Sequence, residues 1–420
     1  MLKVKGFGIK TVGQASQTQI NVLIFSRISD ALGDSIQGIA LPLLAFGITG
    51  DLAQSALVML VVVIPQILFG AIAGPTVDRF DRKFIAIWFN VAQGLLLLVS
   101  PFVFAGRGMP AFLIISFFAG VAKVFASPAK LAAIPALLGD GYQAFRAKTV
   151  SFMFLADTLG PSIAAGIGTI ASPATAVGFA GALNLVAAGA IAAIPGFDST
   201  RRERSDIATE KHSKLLREGL RYTRSNTVVR GMLIYWFIAI AAVPITTLPA
   251  LQYISYDLGL PYFYFGLATS VYAAGCVISS FFSKRLGARI SKSRWMIISG
   301  VGYGLVSLAM GFQPGYFVLL FLWLIWGLLY GPEEVLGGVL FADAMVEEMR
   351  GRVYAFMGIV FSVATAVGYV TMGLLIDRLG AAFTMMTGGF LFIIAAVATF
   401  AIGPTANAIR KFEQSRTTEI

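Results

Sequence analysis

The sequence is poor in charge, cysteine and histidine, and each shortage excludes a class of protein. Charged residues make up 13% of the 420 residues, against about 25% in a typical soluble domain. So few charges cannot cover a water-facing surface, which excludes a soluble globular chain. The one cysteine, Cys276, excludes an intrachain disulfide. The one histidine, His212, has no metal-binding motif around it, so we expect no metal site and no cofactor.

Hydrophobic residues, by contrast, reach 57% of the chain and form long blocks. The blocks are about 20 residues long, which is the length that a helix needs to cross a bilayer. The sequence therefore predicts an all-α membrane protein with twelve transmembrane helices. The predicted spans are 19–47, 54–77, 84–106, 110–136, 148–171, 174–195, 228–251, 262–283, 295–312, 316–342, 353–376 and 382–403.

A long polar interval in the middle of the chain predicts the domain organisation. Residues 1–195 form an N-terminal six-helix half, 196–227 a cytoplasmic linker, and 228–420 a C-terminal six-helix half with a cytoplasmic tail. The second part of the linker is either an amphipathic helix on the inner membrane surface or a plain tether. In the first case its leucines would face lipid; these are Leu215, Leu216 and Leu220.

The two halves also share similar short stretches of sequence. The stretches "RAKTVSFM" (146–153) and "RGRVYAFM" (350–357) lie 204 residues apart, and Pro128 and Pro332 share the same offset. Two matches at one offset indicate duplicated, parallel halves. Secondary transporters use this architecture.

The net charge of +11 reports membrane topology. If the N-terminus is cytoplasmic, 27 of the 32 lysines and arginines fall in inner loops, the linker and the tail, whereas the outer loops hold only Arg107 and Arg378. This bias follows the positive-inside rule. We therefore expect a multi-pass protein of the cell (inner) membrane, with both termini cytoplasmic and no nucleic-acid partner. Its partners are then the lipid bilayer and a small-molecule substrate, and we expect a monomer.

The loop after the second span, "GPTVDRFDRK", resembles the signature Gly-x-x-x-Asp-Arg-x-Gly-Arg-Arg/Lys of the major facilitator superfamily. The matching residues are Gly74, Asp78, Arg79, Arg82 and Lys83, and Asp81 replaces the second glycine of the pattern. We expect Gly74 to allow close helix approach. Asp78 would accept hydrogen bonds at the inner end of the span, as part of an ionic latch on the inner gate.

Longer stretches resemble one branch of that superfamily, the macrolide-efflux and enterobactin-export proteins. They include "ISDALGDSIQGIALPLLAFGITG", "SPAKLAAIPALL" and "RGRVYAFMG". In the fifth span, Gly160 and Pro161 match the antiporter motif, whereas Ala164 and Ala165 replace its paired glycines. The resemblance implies two six-helix halves, alternating access and a central substrate cavity between the halves.

The predicted spans carry charges in stripes. Arg27, Asp30, Asp34 and Gln37 are spaced 3, 4 and 3 residues apart, so they share one face of the first span. Charges at membrane depth face a partner or a water-filled cavity. The fourth span adds Lys123 and Lys130, and the tenth adds Trp326, Tyr330, Glu333 and Glu334. In the family, the first, fourth, seventh and tenth spans line the cavity.

Two interpretations of these charges remain open. In the structural one, Arg27 pairs with Asp30, and Lys123 pairs with Asp157 or Asp34. In the functional one, a carboxylate without a full set of partners carries protons, because the spans contain no histidine. Asp34 ranks first as the deepest acid in the stripe. Glu333 and Glu334 follow, because two adjacent acids rarely both ionise in a dry site, and Asp157 ranks below them.

Aromatic residues of the tenth span favour a substrate wall, because aromatic faces accept amphipathic or cationic molecules. Trp326 and Tyr330 are the candidates, with Gln37 from the first span. The sequence thus predicts a secondary active transporter, a proton-coupled exporter of drug-like or siderophore-like amphipathic molecules. Two alternatives are a lysophospholipid-type carrier, in which Lys123 and Lys130 meet the phosphate, and an intramembrane enzyme. The enzyme is disfavoured because no nucleophile–base pair or metal motif lies in a span.

Overall fold

The computed structural model describes residues 17–138, 142–194 and 212–417. These residues form thirteen α-helices and two π-helical segments, without a β-strand. The first five helices are α1 (Gln17–Thr49), α2 (Leu52–Arg79), α3 (Arg82–Leu138), α4 (Tyr142–Ile170) and α5 (Pro173–Ala192). A linker helix follows, α6 (His212–Ser225). The remaining helices are α7 (Thr227–Gln252), α8 (Tyr262–Ser280), α9 (Ser283–Arg289), α10 (Lys292–Gly311), α11 (Tyr316–Asp343), α12 (Glu347–Ala396) and α13 (Gly403–Thr417). The π-helical segments are Tyr253–Asp257 and Val397–Ala401.

Two helices are long enough to cross a membrane twice. α3 has 57 residues and α12 has 50, whereas about 20 residues span a bilayer. Each is interrupted by one glycine with positive φ, Gly108 at 74° and Gly380 at 71°, a conformation that glycine adopts without steric cost. Eight helices among the described residues meet the length and hydropathy of a span, and α3 and α12 are two of them. With α4 and α10 they supply the twelve predicted crossings.

The predicted spans agree with these helices, and the differences lie at their ends. The span predicted at 148–171 begins at Tyr142, because its first turns carry polar residues that still form a helix. The predicted breaks between 106 and 110 and between 376 and 382 shrink to a kink at one glycine. Hydropathy thus located the apolar core of each helix but not its polar extension.

Several spanning helices have a capping side chain at their N-terminus. Asp51 accepts hydrogen bonds from the amides of Ala53 and Gln54 at the start of α2. Asn226 does the same for Val228 and Val229 at the start of α7. These bonds satisfy amide groups that a helix leaves free at its N-terminus.

Successive spans run in opposite directions, so the basic loops collect at one end of the bundle. We call this the basic end. It holds the α2–α3 junction, α9, and the start of α12 with Arg350 and Arg352. The other end, where α1 meets α2 and α7 leads into α8, is called the opposite end. Arg107 and Arg378 lie there, next to the kinks of α3 and α12.

Helices α1–α5 pack against the later helices mainly through α4 with α8 and α2 with α12. Among the described residues, the hydrogen bonds and the aromatic pair that join the two sets lie toward the opposite end. The backbone amide of Phe263 donates to the Thr169 hydroxyl at 2.9 Å, and the Ser162 hydroxyl lies 2.8 Å from that of Ser270. The Phe46 and Tyr256 rings lie 5.0 Å apart. The bundle is therefore closed at the opposite end.

Glycine permits the closest of these approaches. A Cβ at Gly266 of α8 would lie 2.4 Å from the Cβ of Ala165 and 2.6 Å from the carbonyl oxygen of Pro161, both on α4. Toward the basic end the same two helices have exposed apolar side chains. These are Leu155 and Leu159 on α4, Ile278 on α8, and Phe281 directly after α8.

The linker forms a helix that packs on α12. Glu218 of α6 pairs with Arg352 at 2.6 Å, and a Cβ at Gly219 would lie 2.6 Å from the Arg352 carbonyl oxygen. The Tyr222 hydroxyl accepts from the Val346 amide at 3.2 Å. The sequence left open whether this segment is an amphipathic helix or a plain tether. The plain tether is wrong for residues 212–225, because they form a helix that packs on α12. Leu220 is half-buried, and the side chains of Leu215 and Leu216 lie outside the described residues.

Candidate functional site

A cavity of about 500 Å³ lies among α7, α8, α10, α11 and α12. The sequence predicted a central cavity shared by both halves, but the described lining residues all come from the C-terminal helices. Most are aromatic or aliphatic, two are acidic and none is basic. The polar and aromatic members are Trp236, Thr247, Tyr272, Tyr303, Trp323, Trp326, Tyr330, Glu333, Glu334, Phe341, Tyr354, Phe361 and Phe392.

The aromatic wall is built mainly by α11. Trp323 and Trp326 lie one turn apart on it, and the Tyr272 ring of α8 contacts both, with centroids 6.2 and 6.3 Å away. The Tyr303 ring of α10 lies 6.1 Å from that of Trp326. Trp326 and Tyr330 thus line the cavity, and their contact with a substrate stays a prediction.

Glu333 is buried at this wall and held by two tyrosines. The Tyr235 hydroxyl of α7 donates to Oε1 at 2.8 Å, and the Tyr303 hydroxyl of α10 donates to Oε2. Among the described side chains, no lysine or arginine forms an ion pair with Glu333. Both carboxylate oxygens therefore have neutral donors, and no cation within the described ranges compensates the charge.

Glu334 has a different environment. It is exposed, and its carboxylate accepts a hydrogen bond from the Tyr330 hydroxyl at 3.0 Å. The prediction that two adjacent acids share a dry site is therefore wrong. Neighbouring residues of a helix point about 100° apart, so α11 buries Glu333 and leaves Glu334 exposed.

The N-terminal helices hold a second ionic cluster. Arg27 and Asp30 of α1 pair at 3.4 Å, as the structural interpretation predicted. Lys130 of α3 also pairs with Asp30 and donates to the Asn90 amide oxygen at 3.2 Å. The three charged side chains are at most 9% exposed. One aspartate thus balances two cations in a protein interior.

Asp34 pairs with Lys123 at 3.1 Å, which decides between the two predicted partners of Lys123. The Asp34 side chain is 28% exposed and that of Lys123 is 44% exposed, so this pair is much more accessible to solvent than the Asp30 cluster. Gln93 donates to Asp34 at 3.2 Å and to Gln37 at 3.0 Å.

Gln37, predicted as part of the substrate wall, is instead buried among the N-terminal helices. Asp157 is exposed on α4 and has no ion pair with a described side chain.

The signature loop joins α2 to α3 at the basic end. Lys83 donates to the Ile194 carbonyl at 2.9 Å, and Arg79 is exposed. Arg82 begins α3. A Cβ at Gly74 would meet no described atom within 4 Å, so the close helix approach at this glycine stays a prediction. The side chain of Asp78, to which the latch was assigned, lies outside the described residues.

Several site residues were missed by sequence reasoning. Asp81, the departure from the signature, accepts from the Phe84 amide at 2.9 Å and caps α3. Asn90 and Gln93, three residues apart in an apolar helix, complete the two ionic clusters. This spacing was a usable signal, because polar residues on one face of a span face its interior. Tyr303 had no such signal among the other aromatic residues.

Comparison with known proteins identifies the family. The family model described as Major Facilitator Superfamily matches residues 23–250 and 245–418. The chain belongs to the Major Facilitator Superfamily. It is therefore a secondary transporter of small molecules, built on the twelve-helix fold that the sequence predicted.

Relatives with assigned activities are efflux proteins. The chain is 24% identical over 376 residues to the multidrug efflux pump Tap of Mycobacterium bovis, covering 86% of this chain and 87% of Tap. It is also 24% identical over 386 residues to macrolide efflux protein A of Streptococcus pyogenes, covering 87% and 90%.

Solved structures support the same fold. A bacterial homologue of the iron transporter ferroportin, in an inward-facing state, superposes with a TM-score of 0.73 at 16% identity, over 92% of this chain and 99% of that one. The nucleoside transporter NupG gives a TM-score of 0.69 at 13% identity, over 95% and 99%. At these identities the likeness shows the fold alone.

Proposed function

We propose that this transporter exports amphipathic small molecules in exchange for protons, by alternating access. The observation that carries the proposal is the aromatic cavity with the buried, cation-free carboxylate of Glu333. Aromatic faces bind amphipathic and cationic molecules, and the two acids attract a positive group. The efflux activity of Tap and macrolide efflux protein A supports export as the direction of transport.

The orientation of the bundle is part of the proposal. The basic end faces the cytoplasm, because basic loops are retained on that side of the inner membrane. The structure, closed at the opposite end, is then a state that loads substrate from the cytoplasm. The proposed moving units are the halves 1–195 and 228–420, joined by the linker 196–227, within a monomer that needs no cofactor beyond the proton gradient.

Glu333 is the preferred proton carrier. A buried carboxylate without a cationic partner gains most from binding a proton, whereas Asp34 and Asp30 have lysine partners. Protonation neutralises Glu333 and weakens its attraction for a positively charged substrate. Substrate and proton would then compete at one wall of the cavity, which is the requirement for exchange.

The proposal is tested with purified protein in inverted proteoliposomes, using ethidium as the probe. An acidic interior is expected to drive ethidium uptake by the wild type. Glu333→Gln is expected to remove the dependence on the pH gradient. Glu334→Gln is the matched control, because that carboxylate is exposed beside the buried one, and it is expected to keep gradient-driven uptake.

Two outcomes would contradict the proposal. Proton coupling is wrong if Glu333→Gln, Glu334→Gln and Asp34→Asn each leave gradient-driven uptake intact. Export of amphipathic cations is wrong if the wild type moves labelled lysophospholipid without a gradient and moves no ethidium. The second result would favour the lipid carrier, although Lys130 is buried on Asp30 and Lys123 pairs with Asp34.

A further inference from the structure

The linker helix α6 has two unlike faces. Glu218, Gly219 and Tyr222 lie on the face that packs against α12 and the α11–α12 junction. On the far side, three arginines are exposed at spacings of four and three residues, so they form one stripe. The stripe consists of Arg217, Arg221 and Arg224.

The stripe has no internal counter-charge among the described residues. The one acidic residue of α6, Glu218, already forms an ion pair with Arg352 at 2.6 Å. None of the three arginines forms an ion pair with a described side chain. Three exposed guanidinium groups on one helix face are therefore available to an anionic partner from outside this part of the chain.

The helix is fixed at the membrane boundary. α6 ends at Ser225, and the spanning helix α7 begins at Thr227. Asn226 between them caps α7 and donates to the Ala344 carbonyl at 2.9 Å, which ties the corner to the end of α11. Arg224 therefore lies within one helix turn of the start of α7, and Arg217 lies nearly three turns from it along a helix that packs on α12.

We propose that the Arg217–Arg221–Arg224 stripe is a binding site for anionic phospholipid headgroups. Guanidinium groups bind phosphate oxygens through paired hydrogen bonds, and a basic cluster beside a transmembrane helix is attracted to an anionic leaflet. The lipid would hold α6 against the bundle from the side opposite the Glu218–Arg352 pair. This inference does not depend on the transported substrate or on proton coupling.

The test uses the full-length protein in neutral detergent and counts the lipids retained by native mass spectrometry. Phosphatidylglycerol is compared with phosphatidylcholine and with inorganic phosphate. The variant Arg217→Gln/Arg221→Gln/Arg224→Gln is compared with Lys284→Gln/Arg285→Gln/Arg289→Gln on α9. The control triple removes the same charge from exposed residues at the same end of the bundle.

Wild type is expected to retain phosphatidylglycerol in preference to phosphatidylcholine, and salt is expected to weaken this retention. The α6 triple is expected to lower the affinity for phosphatidylglycerol by about tenfold or more, whereas the α9 triple leaves it nearly unchanged. The proposal is overturned if both triples lose lipid equally, if the two lipids bind alike, or if inorganic phosphate displaces phosphatidylglycerol at equal concentration.

Discussion

Asp30 and Asp34 lie about one turn apart on α1 but have different surroundings. Asp30 is buried between Arg27 and Lys130, whereas Asp34 and its partner Lys123 are partly exposed. Removing one member of a buried ionic cluster leaves its partners uncompensated. The same change in a solvated pair costs little, because water replaces the lost partner.

We therefore expect Asp30→Asn to lower the free energy of unfolding by about 3–5 kcal/mol. Asp34→Asn is expected to lower it by at most about 1 kcal/mol. Thermal unfolding in detergent, followed by circular dichroism, measures both variants against wild type. Equal losses would show that Asp30 is not the structural centre of this cluster.

The two tyrosines at Glu333 permit a second residue-scale prediction. Tyr235→Phe and Tyr303→Phe each remove one hydroxyl donor from the carboxylate. Each is expected to lower stability by about 0.5–2 kcal/mol, the range of hydrogen bonds between helices in membranes. In a double-mutant cycle with Glu333→Gln, each tyrosine is expected to couple to the glutamate. Additive losses would contradict a direct interaction.

Sequence reasoning reached the charged residues of the site but not their neutral partners. The spacing of Arg27, Asp30 and Asp34 was enough to place them on one face of α1. Whether Lys123 meets Asp34 or Asp157 depends on how two helices pack, which periodicity does not encode. Tyr303 was unpredictable because its role depends on lying opposite Glu333, on another helix.

At the scale of helices, α4 and α8 meet through Gly266. Gly266→Ala places a Cβ 2.4 Å from that of Ala165, and the backbone oxygen of Pro161 blocks the alternative. The two helices must separate, so we expect this variant to disfavour the state closed at the opposite end. Gly189→Ala is the matched control, because a Cβ there meets no described atom within 4 Å.

The accessibility of a cysteine placed at Ser162, which is half-buried between α4 and α8 beside Ser270, reports this change. Labelling by a membrane-impermeant maleimide is expected to be several times faster in the Gly266→Ala background than in the Gly189→Ala background. Both are made with Cys276→Ser, which removes the one native cysteine. Equal rates would mean that Gly266 does not set the distance between α4 and α8.

The helices themselves were the most predictable part of the fold, because their apolar length is imposed by the bilayer. The kinks at Gly108 and Gly380 were predicted only as loops. Hydropathy falls at a polar turn whether the helix stops or merely bends, so it does not distinguish the two. The docking of α6 on α12 could not be predicted, because it depends on the close approach of Gly219 to the backbone of Arg352, which is far away in the sequence.

For the whole molecule, the closed end offers a direct test of alternating access. The hydroxyls of Ser162 and Ser270 lie 2.8 Å apart across the two sets of helices. Ser162→Cys/Ser270→Cys in a Cys276→Ser background is expected to form a disulfide under mild oxidation. Because the two halves must separate here during transport, the disulfide is expected to abolish transport, and reductant to restore it.

Two controls accompany the cross-link. Each single cysteine variant is expected to transport normally after oxidation. Transport that persists in the fully cross-linked double variant would mean that the halves do not separate at this point. Proteoliposome uptake and a mobility shift on denaturing gels measure transport and cross-linking on the same sample.

The tight kinks at the opposite end have a practical consequence. Because α3 and α12 turn back at single glycines, the basic residues that the described part of the chain offers trypsin on that face are Arg107 and Arg378, each within two residues of a kink. The basic end, in contrast, exposes the arginines of α6 and the basic residues of α9. Trypsin added to sealed vesicles would therefore cut α6 and α9 only in molecules whose basic end faces outward, and the other molecules could be cut only at Arg107 and Arg378. The fraction of chains cut within α6 and α9 would directly measure the orientation of insertion.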